Sequence, residues 1–181
     1  MPHIMIDLET LGLTPDAVVL SLGAVEFHPN VPGTGREFYV QFDVPSQMRA
    51  GRRLDFATIQ WWMEQKDDAR RYAFLDNRYP DPMSLSLERF HTWLGTDQAY
   101  FWGNGAAFDN VLLKSLYGSC GARAPWRFDR DRCYRTIVGL KPEIKRTQLG
   151  THHHPIDDCK SQILHMQEVV KALGLEFPKE G

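Results

Sequence analysis

The sequence His3-Ile4-Met5-Ile6-Asp7-Leu8-Glu9-Thr10 carries the strongest structural signal in this chain of 181 residues. Ile4, Met5 and Ile6 form an apolar run that predicts a buried strand, and such strands normally exclude charge. Asp7 and Glu9 nevertheless follow the run two residues apart, so both carboxylates project from one face of the strand. Their mutual repulsion raises at least one pKa unless a positive charge lies between them. The stretch therefore predicts a divalent cation beside the strand.

The rest of the sequence predicts an α/β domain around this strand. Apolar runs separated by turn signals predict strands at residues 3–8, 17–27, 37–42, 99–102 and 126–128. Helical periodicity predicts helices at residues 56–65 and 132–140, a helix that begins after the N-cap Asp81, and a helix that ends at about Tyr117. The last predicted helix carries an apolar stripe made of Cys159, Ile163, Met166, Val170 and Leu173. Three leading strands followed by alternating helices and strands fit a ribonuclease H-like topology. In that topology helices flank a mixed five-stranded sheet.

The composition indicates one compact domain over residues 1–181. The hydrophobic fraction is 43%, which is ample for a core. No apolar run approaches the roughly 20 residues needed to span a bilayer, and the amino terminus shows no export signal. Cys120, Cys133 and Cys159 lack the CxxC spacing of a zinc knuckle. We therefore expect a cytoplasmic protein with free thiols and no membrane association.

The charge distribution is uneven although the formal net charge is only −2. That net charge argues against a non-specific nucleic-acid coat protein. Between Arg123 and Arg146, however, eight basic residues face three acidic ones. This segment is either a track for a polyanion or a solvated basic surface, and both interpretations remain open.

A second acidic element is Asn104-Gly-Ala-Ala-Phe108-Asp109. Asp109 stands three, four and seven residues before Leu112, Leu113 and Leu116, so it shares the buried face of its helix and should be paired or bound to metal. The alternative is a carboxylate stabilised by the positive end of the helix dipole. Asn104 either caps this helix or holds a substrate phosphate or ribose.

The third acidic element is His153-His154-Pro155-Ile156-Asp157-Asp158. Asp158 adjoins the apolar stripe of the last helix and should face inward, whereas Asp157 is expected to be an N-cap or a solvated first-turn acid. His153 lies in the preceding loop, from which it can act as a general base near neutral pH. Zinc binding by consecutive loop histidines is a weak alternative, and His152 and His154 are expected at the surface.

Asp7, Glu9, Asp109 and Asp158 thus form a set of four carboxylates. Hard oxygen ligands favour Mg²⁺ or Mn²⁺. Two such ions about 4 Å apart can hold the attacking and the leaving oxygen of an in-line phosphodiester displacement. His153 would take the proton of the attacking water, and the sequence offers no obvious nucleophile for a covalent intermediate.

These elements resemble the motifs of a known superfamily. Asp7-x-Glu9-Thr10, Asn104-x3-Phe108-Asp109 and His153-x4-Asp158 are similar to the three motifs of the DEDDh 3′–5′ exonucleases. Gly12-Leu13 after the first motif and Gln162 after the third fit the same pattern. Within the superfamily, Thr58-Ile-Gln-Trp61-Trp62-x-x-Gln65 and Arg132-Cys-Tyr-Arg135-Thr136 resemble the RNase AS and phage exonuclease subgroup. The resemblance extends over nearly the whole chain.

The resemblance implies a 3′–5′ exonuclease that uses two Mg²⁺ or Mn²⁺ ions. It would release nucleoside 5′-monophosphates from single-stranded RNA or DNA with a free 3′ end. The RNase AS subgroup implies RNA, with a preference for 3′-terminal adenylate, whereas the phage relatives imply DNA. The subgroup also implies a homodimer.

The resemblance also implies a nucleotide site. Thr10, Leu11 and Leu13 would surround the terminal nucleotide, although core packing is an equal alternative for Leu13. Trp61 and Trp62 project roughly 100° apart on a helix, so one belongs to the core and the other, by preference Trp61, stacks on a base.

Three further residues bear on substrate binding or rate. Arg132 and Arg135 are the basic residues expected near the nucleic acid. Pro155 stands where the superfamily usually has a small residue, and it stiffens the loop that approaches Asp158. We expect this proline to change the rate without abolishing activity.

Two other function classes compete with this interpretation. A ribonuclease H-like endonuclease or strand transferase would share the carboxylates, but the histidine five residues before Asp158 argues against it. A non-catalytic nucleic-acid-binding module would have no need of the complete set of four carboxylates and His153. A 3′-blocked or circular substrate separates the first class from an exonuclease, because an exonuclease leaves it intact.

Overall fold

The computed structural model describes residues 1–75, 80–95 and 98–178 of the chain. A five-stranded sheet has the strand order β3-β2-β1-β4-β5. Its strands are β1 His3–Thr10, β2 Val19–Phe27, β3 Glu37–Gln41, β4 Tyr100–Gly103 and β5 Asp131–Cys133. The pairs β1–β2 and β2–β3 are antiparallel, whereas β4 runs parallel to β1 and β5 parallel to β4. The predicted mixed five-stranded sheet flanked by helices is confirmed.

Seven α-helices surround the sheet in the described part of the chain: α1 Val44–Arg49, α2 Phe56–Glu64, α3 Asp67–Phe74, α4 Met83–Leu94, α5 Asp109–Ser119, α6 Tyr134–Val138 and α7 Pro155–Leu173. The sequence predicted α2, α4, α5 and α7 in place, but not the short α1 and α3. None of the described helices is long and apolar enough to cross a membrane.

The alternation of side chains along β1 determines where the acidic residues lie. Ile4, Ile6 and Leu8 face a core shared with α4 and α5, whereas Met5 faces the opposite core against α7. Asp7 and Glu9 lie on the face of Met5 because side chains alternate across a strand. They therefore point from the carboxyl end of β1 toward the amino terminus of α7.

The close approach of α7 to the sheet depends on Gly23 in β2. Gly23 is the register partner of Asp7. A Cβ atom at this position would lie 2.6 Å from the backbone carbon and from Cβ of Pro155. Pro155, the first residue of α7, thus packs directly on the strand beside the acidic pair.

Three predictions about elements are wrong. Residues 126–128 are not a strand, because Trp126 stacks on Phe101 in the core while Phe128 is exposed and begins a 3₁₀ turn. The predicted helix over 132–140 shortens to α6, because residues 131–133 pair with β4 as β5. Asp81 does not cap α4: Pro82 is the N-cap residue, and the Asp81 carboxylate binds Arg89 instead.

Candidate active site

The predicted catalytic residues converge on one cleft at the carboxyl end of β1. The cleft has a volume of about 610 Å³. Three elements supply the carboxylates: β1, the first residue of α5 and the first turn of α7. Of the predicted residues, the following line the cleft: Asp7, Glu9, Thr10, Leu13, Trp61, Asn104, Asp109, Arg135, His153 and Asp158.

Neutral hydrogen-bond donors orient three of the four carboxylates. Gln162 donates from Nε2 to Oδ1 of Asp7 at 2.9 Å. The backbone N–H of Leu8 donates to Oδ1 of Asp109 at 3.3 Å. Asp158 accepts from Nε2 of Gln148 at 2.8 Å and from the backbone N–H of His153 at 3.0 Å. These contacts fix the directions of the acids without neutralising their charge.

Burial outweighs the positive charge near the acids, where the Arg135 guanidinium lowers the pKa of Asp109. Burial, reinforced by repulsion from the neighbouring carboxylates, raises the pKa of Asp7 and of Glu9 well above the ordinary value. Burial likewise raises the pKa of Asp109 to about 7. Among residues 1–75, 80–95 and 98–178, no lysine or arginine forms an ion pair with any of the four acids.

A divalent cation fits this donor set. Glu9 has a side chain only 9% exposed, and its Oε1 lies 3.7 Å from Nδ1 of His153. One ligand atom each from Glu9, His153 and Asp158 lie within 4.8 Å of one another. Buried carboxylates require pairing or a metal ion, and this cluster lacks the former.

His153 has an unusual backbone conformation beside the acids. Its φ angle is 66°, the one positive value at a residue other than glycine in the described chain. This conformation aims its N–H at Asp158 and places its ring 5.0 Å from Trp61, 5.7 Å from Trp62 and 3.9 Å from His152, between ring centroids. Burial lowers the pKa of His153. The imidazole is therefore neutral near pH 7 and can accept a proton.

The loop that carries His153, residues 144–154, is fastened along α7 by polar side chains of that helix. The carbonyl of Ile144 lies 2.9 Å from Nε2 of His165. The N–H of Leu149 donates to Oγ of Ser161 at 2.9 Å, and the N–H of Thr151 donates to Oδ2 of Asp157 at 2.8 Å. We call this segment the strap. Asp157, expected as a cap or a solvated acid, instead holds the strap from the first turn of α7.

The two tryptophans of α2 differ in burial, as the sequence predicts, although both line the cleft. Trp62 is buried and donates from Nε1 to the carbonyl of Thr10 at 2.9 Å. Trp61 is 41% exposed and lines the cleft. Leu13 is 75% exposed at the rim, so the alternative of core packing for Leu13 is wrong. Leu11 is buried in the core with Trp62 and does not line the cleft.

The two predicted arginines have different surroundings. Arg135 lines the cleft and donates to the carbonyl of Asn104 at 2.8 Å. The guanidinium of Arg132 lies 4.3 Å from the ring centroid of Tyr100 and donates to the carbonyls of Asp129 and Asp131. Arg132 therefore lies outside the residues that line the cleft.

Other expectations for this region need correction. Asn104 lines the cleft and does not cap α5, whose N-cap residue is Phe108. His154 is not a free surface residue: its ring packs 5.2 Å from Tyr39 and 4.8 Å from Tyr72. His152 is exposed as predicted, yet it also lines the cleft.

The sequence analysis did not single out Asp55, and it named Thr58, Arg146 and Gln162 without assigning them to the cleft wall that all four line. Gln162 carried a usable signal, because a residue four positions after Asp158 lies on the same helical face. Arg146 belongs to the strap, which has no periodicity from which its direction could be predicted.

Comparison with known proteins gives one family and a common fold. A family model described as the 3′–5′ exoribonuclease Rv2179c-like domain matches residues 2–170. The exodeoxyribonuclease of Enterobacteria phage T4 is 26% identical over 212 residues, covering 95% of this chain and 91% of the phage protein.

Solved structures of exonuclease I share the fold at low sequence identity. E. coli exonuclease I in complex with a dT13 oligonucleotide superposes with a TM-score of 0.65 at 13% identity, over 93% of this chain. A zinc-bound complex of E. coli exonuclease I with single-stranded DNA gives 0.64 at 13% identity, over 95% of this chain. The chain spans about two fifths of the length of those proteins, 41% and 40%.

Proposed function

We propose a reaction for this chain from the premise that it belongs to the Rv2179c-like family of 3′–5′ exoribonuclease domains. The chain is a nuclease of the 3′–5′ exonuclease type, and its substrate and mechanism are the subject of the proposal. We infer that residues 1–181 act as one exonuclease domain on the 3′ end of single-stranded nucleic acid. The observation that carries this proposal is the convergence of four carboxylates and a neutral histidine in one cleft.

The four carboxylates are the proposed metal ligands. Asp7, Glu9, Asp109 and Asp158 would hold two divalent ions, Mg²⁺ or Mn²⁺, because their donors are hard carboxylate oxygens. When bound, the ions supply positive charge to the attacking and the leaving oxygen of the phosphodiester. Gln162, Gln148 and the two backbone donors hold three of these ligands in direction before the ions arrive.

His153 is the proposed general base. Nδ1 of its neutral ring faces the acidic cluster and accepts the proton of the attacking water. The water oxygen forms a bond to the terminal phosphorus, and the bond from phosphorus to the 3′-oxygen of the preceding nucleotide breaks. The 3′-oxygen takes a proton from solvent, and a nucleoside 5′-monophosphate leaves.

The cleft wall supports single-stranded substrate. Trp61 offers an exposed aromatic face, and stacking of a base on such a face contributes about 1–3 kcal/mol. Arg135 and Arg146 line the same cleft and form no ion pair in the described part of the chain, so both place positive charge where phosphates would bind, although Arg135 also donates to the carbonyl of Asn104. Thr10, Leu13 and Asn104 complete the wall around the terminal nucleotide.

The substrate proposal favours RNA, in keeping with the family description, and includes the preference for 3′-terminal adenylate suggested by sequence resemblance. The T4 relative, an exodeoxyribonuclease, supports DNA as the second candidate. The test is digestion of end-labelled RNA and DNA oligomers that differ only in the 3′ base, with Mg²⁺. We expect stepwise shortening from the 3′ end, faster on RNA ending in adenylate, and intact 3′-blocked and circular controls. Internal cleavage of the circle would contradict an exonuclease.

The carboxylate ligands give the first mutational prediction. Asp7→Asn keeps the acceptor for Gln162 but removes a charged ligand, so we expect loss of turnover in a folded protein. Circular dichroism checks the fold, and the oligomer assay measures turnover. Substantial residual hydrolysis with Mg²⁺ or Mn²⁺ would contradict the two-metal mechanism.

The assembly is proposed as a homodimer, on the basis of the sequence resemblance to the RNase AS subgroup. Sedimentation velocity at micromolar concentration measures it directly. A monomer with full activity would contradict a partner that completes the substrate groove.

A further inference from the structure

We propose that His165 of α7 is a positioning residue for the binding of substrate phosphates, because its two ring nitrogens join the segments that carry Arg135 and Arg146. This inference rests on the proposed function and concerns how the same cleft holds nucleic acid. His165 does not line the cleft and is buried, with 8% of its surface exposed. It therefore acts through the two arginines and not by contact with the substrate.

Arg135 and Arg146 supply the positive charge of the cleft wall. Among the described residues that line the cleft, they are the only lysine or arginine side chains, whereas five lining residues are aspartate or glutamate. A guanidinium binds phosphate through directed, charge-assisted hydrogen bonds, so its effect depends on its position. We call Arg135 and Arg146 the arginine pair.

Two short hydrogen bonds connect His165 to both segments. Nε2 lies 2.9 Å from the carbonyl oxygen of Ile144 and, because a carbonyl only accepts, this nitrogen carries a proton. In the neutral ring Nδ1 is then an acceptor, and the hydroxyl of Tyr134 donates to it at 2.6 Å. One imidazole thus holds the strap with one nitrogen and α6 with the other.

Each partner of this imidazole is close in sequence to one member of the arginine pair. Tyr134 directly precedes Arg135 in α6, and its ring is buried in the core that α7 shares. Ile144 begins the strap, two residues before Arg146. Burial raises the pKa of Tyr134 and the charge of Arg146 lowers it, which places this guanidinium near the phenol. The spacing of the arginine pair therefore depends on the contacts of one buried histidine.

The polar character of this contact distinguishes it from ordinary core packing. An apolar side chain could fill the same space between α7, α6 and the strap, but it would not specify distances between polar atoms. The hydroxyl of Tyr134 is buried, and a buried polar group without a partner is costly. Both hydrogen bonds therefore favour one arrangement of α6 and the strap.

The salt dependence of oligomer binding tests the inference. The full chain carrying Asp7→Asn, which prevents turnover, is titrated with a labelled single-stranded oligomer by fluorescence anisotropy at about 50 to 200 mM KCl. Each phosphate contact of a single strand contributes about 0.7 to the slope of log K against log salt concentration. We expect His165→Leu, which makes neither bond, to lower the size of this slope by ~0.7–1.4, the value for one or two contacts. Affinity at the lowest salt should fall roughly 10-fold.

A conservative variant and a matched control separate positioning from general stability. His165→Gln ends in one acceptor and one donor, as the imidazole does, and should restore most of the slope. Gln167→Leu removes another buried polar side chain of α7, whose bonds go to residues 28–33. It should lower the melting temperature and keep the slope. The double variant Arg135→Gln, Arg146→Gln gives the slope expected when the arginine pair is lost.

Three results would overturn the proposal. They are an unchanged slope in His165→Leu, an equal fall in Gln167→Leu, and a slope in His165→Gln as low as in His165→Leu. If His165→Leu does not fold, Tyr134→Phe decides, because it removes one hydroxyl and keeps the ring in the core. Its slope should also fall, and an unchanged slope would refute the assignment, as would a failure of the Asp7→Asn protein to bind the oligomer.

Failure of this inference is distinguishable from failure of the proposed function. A slope that does not depend on His165, in a protein whose wild type shortens oligomers from the 3′ end, removes only the inference. A slope that depends on His165, in a protein that shortens no oligomer, removes only the proposed function.

Discussion

At the scale of single residues, His153 combines an unusual backbone conformation with a side chain that faces the acidic cluster. Its backbone occupies the left-handed region, which most residues avoid at a cost of about 1–2 kcal/mol. Its side chain faces Glu9, while its N–H holds Asp158. The residue therefore acts on the cleft both through its ring and through its backbone, and substitution can distinguish the two.

His153→Asn tests the ring alone. Asparagine tolerates the left-handed conformation but cannot accept a proton from water at neutral pH. We expect hydrolysis to slow by roughly 10²–10⁴-fold, the usual contribution of a general base, with unchanged thermal stability. Single-turnover rates and melting curves measure the two effects. A near-normal rate would show that the backbone conformation, and not the imidazole, is what the cleft needs.

At the scale of elements, the strap and α7 form one unit. Ser161 and Asp157 of α7 bind backbone N–H groups of the strap, and the strap in turn delivers Gln148 to Asp158. Gly150 makes this fit possible: its φ angle is 58°, and a Cβ there would overlap the Asp157 carboxylate. The position of the base is thus determined by contacts that lie outside the cleft.

Gly150→Ala tests this unit. The new methyl group must displace Asp157 and weaken its bond to Thr151, so the strap shifts with His153 on it. We expect kcat to fall by ~10–100-fold, because displacements near 1 Å cost about 10²-fold. Gly118→Ala is the control, since its Cβ meets no atom within 4 Å and it lies within α5. Wild-type kcat in Gly150→Ala would contradict the role of the strap.

At the scale of the whole molecule, periodic segments were predictable and irregular ones were not. The alternation along β1 and the apolar stripe of α7 each reflect a local rule, so both elements and their acids could be located from sequence. The direction of Arg132 could not, because it depends on the long-range pairing of β5 with β4, which brings its guanidinium to Tyr100. The position of Arg146 could not be predicted either, because it also depends on long-range contacts, those that attach the strap to α7.

The acidic cleft also lowers the stability of the whole protein when no metal is bound. Without metal, the raised pKa of Asp7 and Glu9 means that burial and repulsion oppose folding at neutral pH. Mg²⁺ should therefore raise the unfolding temperature relative to EDTA. At a Mg²⁺ concentration of 100 times Kd, binding increases the free energy of unfolding by about 2.7 kcal/mol. Asp7→Asn should unfold at a higher temperature than wild type in EDTA and lose most of the response to Mg²⁺.

A matched charge change outside the cleft shows whether the Mg²⁺ response depends on the cleft or on surface charge in general. Glu168→Gln removes one exposed carboxylate from the same helix as Asp158 and should keep the full Mg²⁺ response. Calorimetric melting in EDTA and in Mg²⁺ measures all three proteins. An equal Mg²⁺ shift in Asp7→Asn would mean that the ion acts away from the cleft. If instead only Asp7→Asn loses the Mg²⁺ shift, the acids that destabilise the metal-free protein are the ones that bind the ion. The reason is that this one substitution both stabilises the protein in EDTA and removes its stabilisation by Mg²⁺.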